Sequence, residues 1–503
     1  MADIRRGVEK EGLRVTLDGD IAQTPHSESL GSTLTHSYIT TDYSEALLEF
    51  ITEPSVSSAD TVKRLCNLHA FTFSNIADEL IWPASMPCRL EGDASIPIAE
   101  YGSSNIGTMK HVYRRGLDIR YGRIMQSIAG IHYNFSMPTE FWADYQNDCG
   151  DEGDLQAFID RKYFRLIRNY RKHSWLLNLL FGASPVVDES FFDGRDHQLE
   201  KFGDKTYGLK HATSLRMSDL GYQNSAQEVL NICFDSLASY TESLELAVQQ
   251  KYPEYEKLGV KKNGEYQQLN SNILQLENEY YSDIRPKRTT RSGEKPVQAL
   301  RQRGVEYIEV RILDINPFLP VGIDQEQIRF LDAFLVYCLL SDSCLTTDHK
   351  RDEIKENRRR VIVQGRDPEL TLLRDDSEVP LNELANQLLT DILVTAQLID
   401  SSGQSDDGLH AKSVEIQTNK IADLGLTPAG KLMSLVESGE EFVPLMLELA
   451  KQHKAVTCAE CTDNDFFRSL PEQAKESIRK QHAIEESDTI NFDQFLREYH
   501  QQS

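Results

Sequence analysis

The order of apolar and polar positions predicts strands and helices in the first two thirds of the chain and mainly helices afterwards. Period-two alternation with many β-branched or aromatic residues predicts strands at residues 7–15, 130–136 and 304–313. Apolar residues recur at every third and fourth position, which predicts helices, at residues 59–79, 155–181 and 225–250. From about Ile328 the pattern becomes mostly helical. Strands separated by helices and long loops, without a regular βαβ rhythm, indicate an α+β fold.

The candidate chemistry is confined to the first two thirds of the sequence. No candidate catalytic constellation follows position 340. We therefore expect residues 1–340 to form a catalytic region that contains the sheet and the active site. Residues 341–503 are expected to form a mostly helical supporting region packed on it, so that both belong to one large structural unit.

Two glutamates on the first predicted strand are the most informative residues. Side chains alternate across a strand, so Glu9 and Glu11 point to the same face. Two adjacent carboxylates repel each other unless a cation lies between them, and a rigid pair suits a hard divalent ion such as Mg²⁺. Alone, the pattern is equally consistent with the solvated side of an edge strand.

Two further segments offer ligands for such an ion. Asp42 and Glu49 are seven residues apart, and on a helix this spacing would place both on one side. Asp42 follows two threonines, so a plain helix N-cap is the alternative. His132 shares one face of the second predicted strand with Asn134 and Ser136. Its neutral imidazole could join oxygen ligands, or it could be a hydrogen-bonded structural histidine.

Charged residues on and before the third predicted strand suit a phosphate. Glu309 and Arg311 share a face, which indicates either an ion pair or a site that holds a metal and a phosphoryl group together. A basic run lies just upstream, at Arg285, Lys287, Arg288 and Arg291. We nominate these four residues, with Arg311, for ATP contacts; a solvated basic loop is the alternative. No GxGxxG or GxxxxGK[ST] motif occurs, so a nucleotide would be held in another way.

Net charge narrows the classes of partner. The 503 residues include 54 Lys and Arg against 79 Asp and Glu, which gives −25. Such an excess works against non-specific binding to nucleic acid or to anionic membranes, so neither is expected as a partner. No window approaches the roughly 18 uninterrupted apolar residues of a membrane span. With no apolar signal region behind Arg5 and Arg6, we expect a cytoplasmic protein.

The cysteines are expected to be reduced in that compartment. The chain has 8 cysteines, which is sparse for its length. Cys458 and Cys461 have a CxxC spacing that could bind zinc or act in redox chemistry, but a single CxxC is weak evidence. Their polar surroundings favour two incidental surface thiols in a solvated loop.

The motifs taken together resemble bacterial glutamate–cysteine ligases, also called γ-glutamylcysteine synthetases. The resemblance extends from residue 6 to beyond residue 320 and weakens after about residue 370. It rests on RGVEKEGLRV at 6–15, TTD at 40–42, EALLEF at 45–50, IWP at 81–83, YGSSN at 101–105, HYNFS at 132–136, FGASP at 181–185, ATSLRMSDLGY at 212–222 and YIEVR at 307–311.

The resemblance implies a fold and a reaction. The fold is glutamine-synthetase-like, with a curved antiparallel sheet that forms a funnel surrounded by helices. The reaction is the ATP- and Mg²⁺-dependent ligation of the γ-carboxylate of L-glutamate to the amine of L-cysteine through a γ-glutamyl phosphate, the first step of glutathione biosynthesis. A related carboxylate–amine ligase with a different small amine acceptor is the alternative.

The resemblance also implies roles for individual residues. Arg311 would contact the transferred phosphoryl group and act in catalysis with Glu309. The Mg²⁺ ligands, for which Mn²⁺ is a possible substitute, would be Glu9, Glu11, Asp42, Glu49, His132 and Glu309. The amino-acid sites would be lined by Tyr43, Tyr113, Gln126, Arg216, Tyr222 and Tyr281. We expect glutathione to be a feedback inhibitor and the protein to be a monomer.

Overall fold

The computed structural model describes residues 3–220, 230–291, 293–403, 408–462 and 464–501. Its strands are β1 (Arg5–Val15), β2 (Ile39–Thr41), β3 (Leu47–Ile51), β4 (Leu80–Ile81), β5 (Ile131–Ser136), β6 (Val186–Asp188), β7 (Glu200–Lys201), β8 (Thr206–Gly208), β9 (Lys261–Lys262), β10 (Glu265–Tyr266), β11 (Ile284–Lys287), β12 (Tyr307–Leu313), β13 (Thr371–Arg374) and β14 (Ser377–Pro380).

Helices in the described parts of the chain surround the strands. They are α1 (Ser58–Phe73), α2 (Asn105–Tyr121), α3 (Thr139–Asp148), α4 (Leu155–His173), α5 (Trp175–Phe181), α6 (Leu237–Gln249), α7 (Pro253–Leu258), α8 (Pro296–Arg303), α9 (Gln325–Leu340), α10 (Asp348–Gln364), α11 (Leu381–Ser402), α12 (Leu409–Ala422), α13 (Pro428–Glu437), α14 (Phe442–Glu460), α15 (Asp465–Ser487) and α16 (Phe492–Gln501). Short 3-10 helices occupy Glu28–Leu30, Asp93–Ser95, Ile124–Ser127, Glu189–Phe192, Leu215–Met217, Glu277–Glu279 and Leu424–Leu426.

The central element is a seven-stranded antiparallel sheet. Its strands follow the order β11-β12-β5-β1-β3-β2, and β4 pairs with the end of β1. The register between β12 and β5 shifts between Val310 and Leu313, and such irregularities bend a strand. The predicted strands correspond to β1, β5 and β12, and the predicted α+β class with an antiparallel sheet surrounded by helices is confirmed.

The two faces of the sheet differ because side chains alternate along each strand. The apolar face is almost fully buried and carries Val8, Phe50, Tyr133, Phe135, Ile308 and Val310. Helix α1 contacts β1 and β3, α4 contacts β11, and α5 contacts β12. Burying each such side chain stabilises the fold by about 1.5–3 kcal/mol, so the register of the sheet is firmly set. The alternate residues, most of which are charged, are therefore held on the opposite face.

The predicted helices are present with altered boundaries. The segment 59–79 forms α1, while 155–181 is interrupted at Ser174 into α4 and α5. In the described part of the segment 225–250, the helix begins at Leu237 and residues 230–236 are not helical, while residues 225–229 lie outside the described ranges. After residue 340 the chain is mostly helical, as predicted, with the hairpin β13–β14 as an exception. No α-helix within the described ranges is long and apolar enough to cross a bilayer.

The helical interpretation of the segment with Asp42 and Glu49 is wrong. Residues 39–41 and 47–51 form the antiparallel pair β2 and β3, so Glu49 lies on a strand and Asp42 in the connecting turn. The apolar residues Leu47, Leu48 and Phe50 fit a helix face as well as a strand. Pairing of β3 with β1 decides between the two, and this contact is not local in sequence.

A disulfide corrects the expectation that all cysteines are reduced. Cys66 of α1 and Cys461 are bonded across 395 positions, because α1 packs along α14. Cys458 lies in the last turn of α14 as a free thiol. Cys461 is buried, so the prediction of two surface thiols in a solvated loop is also wrong.

A buried ionic network joins the sheet to the helical last third. Arg6 Nη2 on β1 lies 2.8 Å from Asp332 Oδ2 on α9, and the Tyr133 hydroxyl donates to Asp332 Oδ1 at 2.6 Å. On α12, His410 Nδ1 is 2.7 Å from Asp400 Oδ1 of α11, and His410 Nε2 is 3.8 Å from Asp332 Oδ2. Buried charges need partners, so the network fixes α11 and α12 against the sheet.

We predict that His410 makes the stability of the fold depend on pH. Burial lowers its pKa, but Asp332 and Asp400 raise it overall above the ordinary value of 6.5. The stabilisation by protonated His410 is therefore complete below about pH 6.5 and is lost as pH rises through the raised pKa. Urea denaturation should show that His410→Gln removes this loss of unfolding free energy. The exposed His349 offers a control, since His349→Gln should keep the wild-type dependence of the unfolding free energy on pH. The same pH dependence in all three proteins would contradict the prediction.

Candidate active site

The charged face of the sheet borders a cavity of about 380 Å³. Strands β1, β3, β5, β11 and β12 line one side, and α2 with the segment 276–281 lines the other. The cavity brings together most residues predicted from the sequence: Glu9, Glu11, Asp42, Tyr43, Glu49, Tyr113, Gln126, His132, Arg216, Tyr281, Arg285, Lys287, Glu309 and Arg311. A single site is thus built from residues between positions 9 and 311.

The register of the sheet sets the acidic side chains next to one another. Glu11 lies opposite Glu49 of β3, and Glu9 lies opposite His132 of β5. Glu309 is on β12, one strand further along. Ligand atoms of Glu9, His132 and Glu309 lie within 4.8 Å of one another, so one divalent cation could contact all three.

Hydrogen bonds orient the two glutamates of β1. The backbone N–H of Gly130 donates to Glu11 Oε2 at 2.6 Å, and Asn134 Nδ2 donates to Glu9 Oε1 at 2.8 Å. The His132 ring lies between them, with Nδ1 3.3 Å from Glu9 Oε2 and Nε2 3.8 Å from Glu11 Oε1. Gly130 and Asn134 thus hold one oxygen of each carboxylate, and the other oxygen of each lies towards the His132 ring.

Two carboxylates of β1 and β3, Glu11 and Glu49, are short of positive charge. Burial raises the pKa of Glu49 well above its ordinary value, and the charges of Glu9, Asp42 and Glu11 raise it further. Burial also raises the pKa of Glu11. Crowded carboxylates resist ionisation unless a cation lies among them. The donor set and its electrostatics therefore fit a bound divalent cation.

Glu309, in contrast, has positively charged neighbours. Burial alone would raise its pKa, but Lys287 and Arg311 hold it well below the ordinary value. Lys287 Nζ lies 3.3 Å from Glu309 Oε1, and Arg311 Nη1 lies 3.2 Å from Oε2. Among the described residues, Arg311 Nε has no hydrogen-bond partner. The cavity thus has a cationic side on which a donor remains available to a ligand.

Helix α2 supplies cavity residues that the sequence interpretation missed. The cations of Lys110 and Arg114 lie 4.7 and 4.5 Å from the centre of the Tyr101 ring. Burial, together with Arg114, lowers the pKa of Lys110 to about 8. Arg114 Nε donates to the carbonyl oxygen of Asp42. The spacing of Lys110, Tyr113 and Arg114 places them on one helix face, a signal that was present in the sequence.

Two predicted nucleotide contacts lie away from the cavity. Strand β11 ends at Lys287, so Arg288 and Arg291 follow the strand and do not line the site. Arg288 Nη1 instead donates to the carbonyl oxygen of Arg303 at 2.7 Å. Tyr222, predicted to line the amino-acid sites, lies outside the described residues.

Arg216 reaches the cavity across Gly130. Its Nη2 donates to the carbonyl oxygen of Arg311 at 2.9 Å, and its Nη1 lies 3.6 Å from Asp314 Oδ1. A Cβ atom on Gly130 would lie 2.1 Å from Arg216 Nη2. The absence of a side chain at position 130 is therefore what leaves room for the guanidinium.

Solved structures of similar proteins define the class. The crystal structure of glutamate–cysteine ligase from Francisella tularensis in complex with AMP is similar with a TM-score of 0.92 and 37% identity, covering 99% of this chain and 97% of that chain. A bifunctional glutathione synthetase from Pasteurella multocida matches with a TM-score of 0.75 and 25% identity, over 94% of this chain and 56% of that chain. The antiparallel sheet surrounded by helices is the fold of a ligase that forms carbon–nitrogen bonds.

Sequence comparisons agree at the level of the family. The glutamate–cysteine ligase family model matches residues 1–361. Glutamate–cysteine ligase from Hahella chejuensis is 48% identical over 99% of this chain and 96% of its own length. The protein of that name from Pseudomonas putida strain W619 is 48% identical over 98% of this chain and 94% of its own length. The chain belongs to the glutamate–cysteine ligase family, as the resemblance of its motifs predicted.

We predict that Gly130→Ala impairs the site through Arg216. The new methyl group must displace the guanidinium, and a misplaced binding group of this kind should raise the KM of an amino-acid substrate roughly tenfold. Steady-state rates at varied amino-acid concentration measure this. Gly7→Ala in the same sheet is the matched control, because its Cβ would come no closer than 3.4 Å to its neighbours. Equal KM values for the two variants would contradict the role given to Gly130.

Proposed function

We propose that the chain catalyses the family's reaction, in which ATP drives the joining of the γ-carboxylate of L-glutamate to the amine of L-cysteine. The products are γ-glutamylcysteine, ADP and phosphate, and the reaction is the first step of glutathione biosynthesis. The observation that carries the proposal is one cavity in which clustered carboxylates face Lys287 and Arg311. The AMP complex of the Francisella relative supports nucleotide binding at such a fold. A different amine acceptor is not favoured, because the similar proteins are named glutamate–cysteine ligases.

The proposed reaction consists of two transfers, because a carboxylate is a poor electrophile. An oxygen of the γ-carboxylate attacks the terminal phosphorus of ATP, and ADP leaves. The cysteine nitrogen then attacks the acyl carbon of the γ-glutamyl phosphate, phosphate leaves with the bond electrons, and the amine gives up a proton. Both transfers redistribute charge on phosphate oxygens, so fixed positive charge beside them accelerates the reaction.

We propose that the carboxylate cluster holds Mg²⁺, with Mn²⁺ as a substitute. Oxygen-rich donor sets suit these hard cations, and the raised pKa of Glu49 supports a cation among its neighbours. When bound, the ion would neutralise charge on the nucleotide phosphates. Strand pairing holds the carboxylates in place beforehand, so little reorganisation is needed on binding. The proposed ligands are Glu9, Glu11, Asp42, Glu49, His132 and Glu309.

We propose that Arg311 contacts the transferred phosphoryl group. Burial would lower its pKa, but Glu309 raises it overall, which keeps the guanidinium charged. Ionised Glu309 orients Arg311 through the 3.2 Å contact with its Nη1. Lys287 and Arg285, on the neighbouring strand, extend the cationic side and are proposed ATP contacts.

The amino-acid sites are proposed to lie between the sheet and α2. Arg216 is suited to the α-carboxylate of a substrate, because guanidinium and carboxylate groups have matching geometry. Tyr43, Tyr113, Gln126 and Tyr281 line the remaining walls. A pocket of this size separates cysteine from similar small amines by only about 1–3 kcal/mol, so 2-aminobutyrate should be a slow substrate.

We further propose that the protein acts in the cytoplasm as a monomer and is inhibited by glutathione. ATP is supplied in the cytoplasm, which supports this location. Glutathione contains the γ-glutamyl and cysteinyl groups of the proposed product. It can therefore compete for the same amino-acid sites.

ADP release measured with a coupled assay tests the proposed function. We predict that turnover requires glutamate, cysteine and Mg²⁺ together. Arg311→Ala should lower kcat by roughly 10³-fold, the range known for arginines that neutralise a phosphoryl group in transfer. Arg288→Ala is the matched control, because this arginine does not line the cavity. ADP release that is independent of added amino acid, or equal kcat values for the two variants, would overturn the proposal.

A further inference from the structure

A small hydrophobic cluster, separate from the main core, joins the last helix of the chain to the wall of the cavity. Its buried members are Met109 and Val112 of α2, Leu269, and Leu496 of α16. Aromatic side chains of α16 pack around them, together with other half-buried residues: Ile106, Tyr113, Tyr266, Leu276, Phe492, Phe495 and Tyr499. Met109, Tyr113 and Leu276 also line the cavity. The same side chains therefore contact α16 on one side and the site on the other.

Polar contacts hold the end of the chain to the start of α2. The backbone N–H of Asn105, the first residue of α2, donates to Asp488 Oδ2, and Asn105 Nδ2 donates to the carbonyl oxygen of Ile490 at 2.9 Å. A carboxylate at this position also interacts favourably with the dipole of α2. The backbone N–H of Ser103 donates to Glu485 Oε1 at 2.8 Å. Ser103 of the loop and Asn105 of the helix are thus fixed by the segment 485–490.

The first turn of α16 is also tied to the hairpin β9–β10. Lys261 Nζ lies 2.7 Å from Asp493 Oδ1, and the Tyr266 hydroxyl donates to the same oxygen at 2.7 Å. The ammonium of Lys295, next to α8, lies 5.5 Å from the centre of the Tyr499 ring. Helix α16 therefore connects α2, which lines the cavity, with the hairpin β9–β10 and the residue before α8.

We propose that α16 is a positioning element of the catalytic site, in which Leu496 fixes Met109 and with it the face of α2 that carries Lys110 and Tyr113. The inference rests on the proposed function for the identity of the substrates. Residues 485–501 lie beyond the 1–361 range of the family model, and α16 supplies none of the residues that line the cavity. Its effect on the reaction therefore passes through α2.

The matched pair Leu496→Ala and Leu388→Ala tests the proposal. The two leucines are buried to a similar degree, at 4% and 5% exposure, but Leu388 belongs to the main core of the helical third. We expect Leu496→Ala to raise the KM for glutamate or cysteine roughly tenfold, since small displacements of binding groups are costly. Leu388→Ala should lower the melting temperature and leave both KM values unchanged. Leu496→Met, which restores the volume, should recover the wild-type KM.

Hydrogen exchange of α2 in the full-length protein gives a readout that does not depend on activity. Leu496→Ala should speed exchange in residues 106–113, and Leu388→Ala should not. If the wild type shows no amino-acid-dependent ADP release, the proposed function fails, and faster exchange in α2 would still support the positioning role. Unchanged exchange in α2, or KM values for Leu496→Ala equal to those for Leu388→Ala, would overturn that role.

Discussion

Repulsion among buried carboxylates is the constraint that the rest of the structure has to offset. Glu9, Glu11 and Glu49 lie on two paired strands, at positions where their charges meet in a space of low dielectric. Charges a few ångströms apart in such a space repel strongly. The arrangement persists because the opposite face of the same strands is buried, largely apolar and covered by helices, with its buried Arg6 paired to Asp332. Burial of the apolar residues thus offsets the unfavourable free energy of bringing the carboxylates together.

The charge of the side chains that line the cavity changes from negative to positive along the sheet. Glu11 on β1 and Glu49 on β3 have raised pKa values, whereas Glu309 on β12 is kept ionised by Lys287 and Arg311. In the proposed reaction a metal-bound nucleotide would span the two sides, with its metal at the acidic side and its terminal phosphate beside the guanidinium. Antiparallel register produces this gradient, because it brings residues from distant parts of the chain into one row.

Period-two alternation predicted strands β1, β5 and β12 and the shared face of Glu9 and Glu11. The resemblance of the motifs, and not alternation, assigned His132 and Glu309 to the same site. Local patterns failed where distant contacts decide the structure. The segment with Glu49 suits both helix and strand until β1 pairs with it, and the Cys66–Cys461 disulfide depends on the packing of α1 against α14. Charge density does not separate the members of the basic run. Strand β11 ends at Lys287, so that Arg285 and Lys287 line the cavity but Arg288 does not.

A calorimetric titration with Mg²⁺, without nucleotide or amino acids, tests most directly whether the carboxylate cluster is a cation site. The account predicts saturable binding and a melting temperature that rises with Mg²⁺ concentration. At a concentration of 100 times the dissociation constant the stabilisation should reach about 2.7 kcal/mol. Glu49→Ala, which removes one of the proposed ligands, should weaken both effects. The absence of saturable heat together with an unchanged melting temperature would contradict the account.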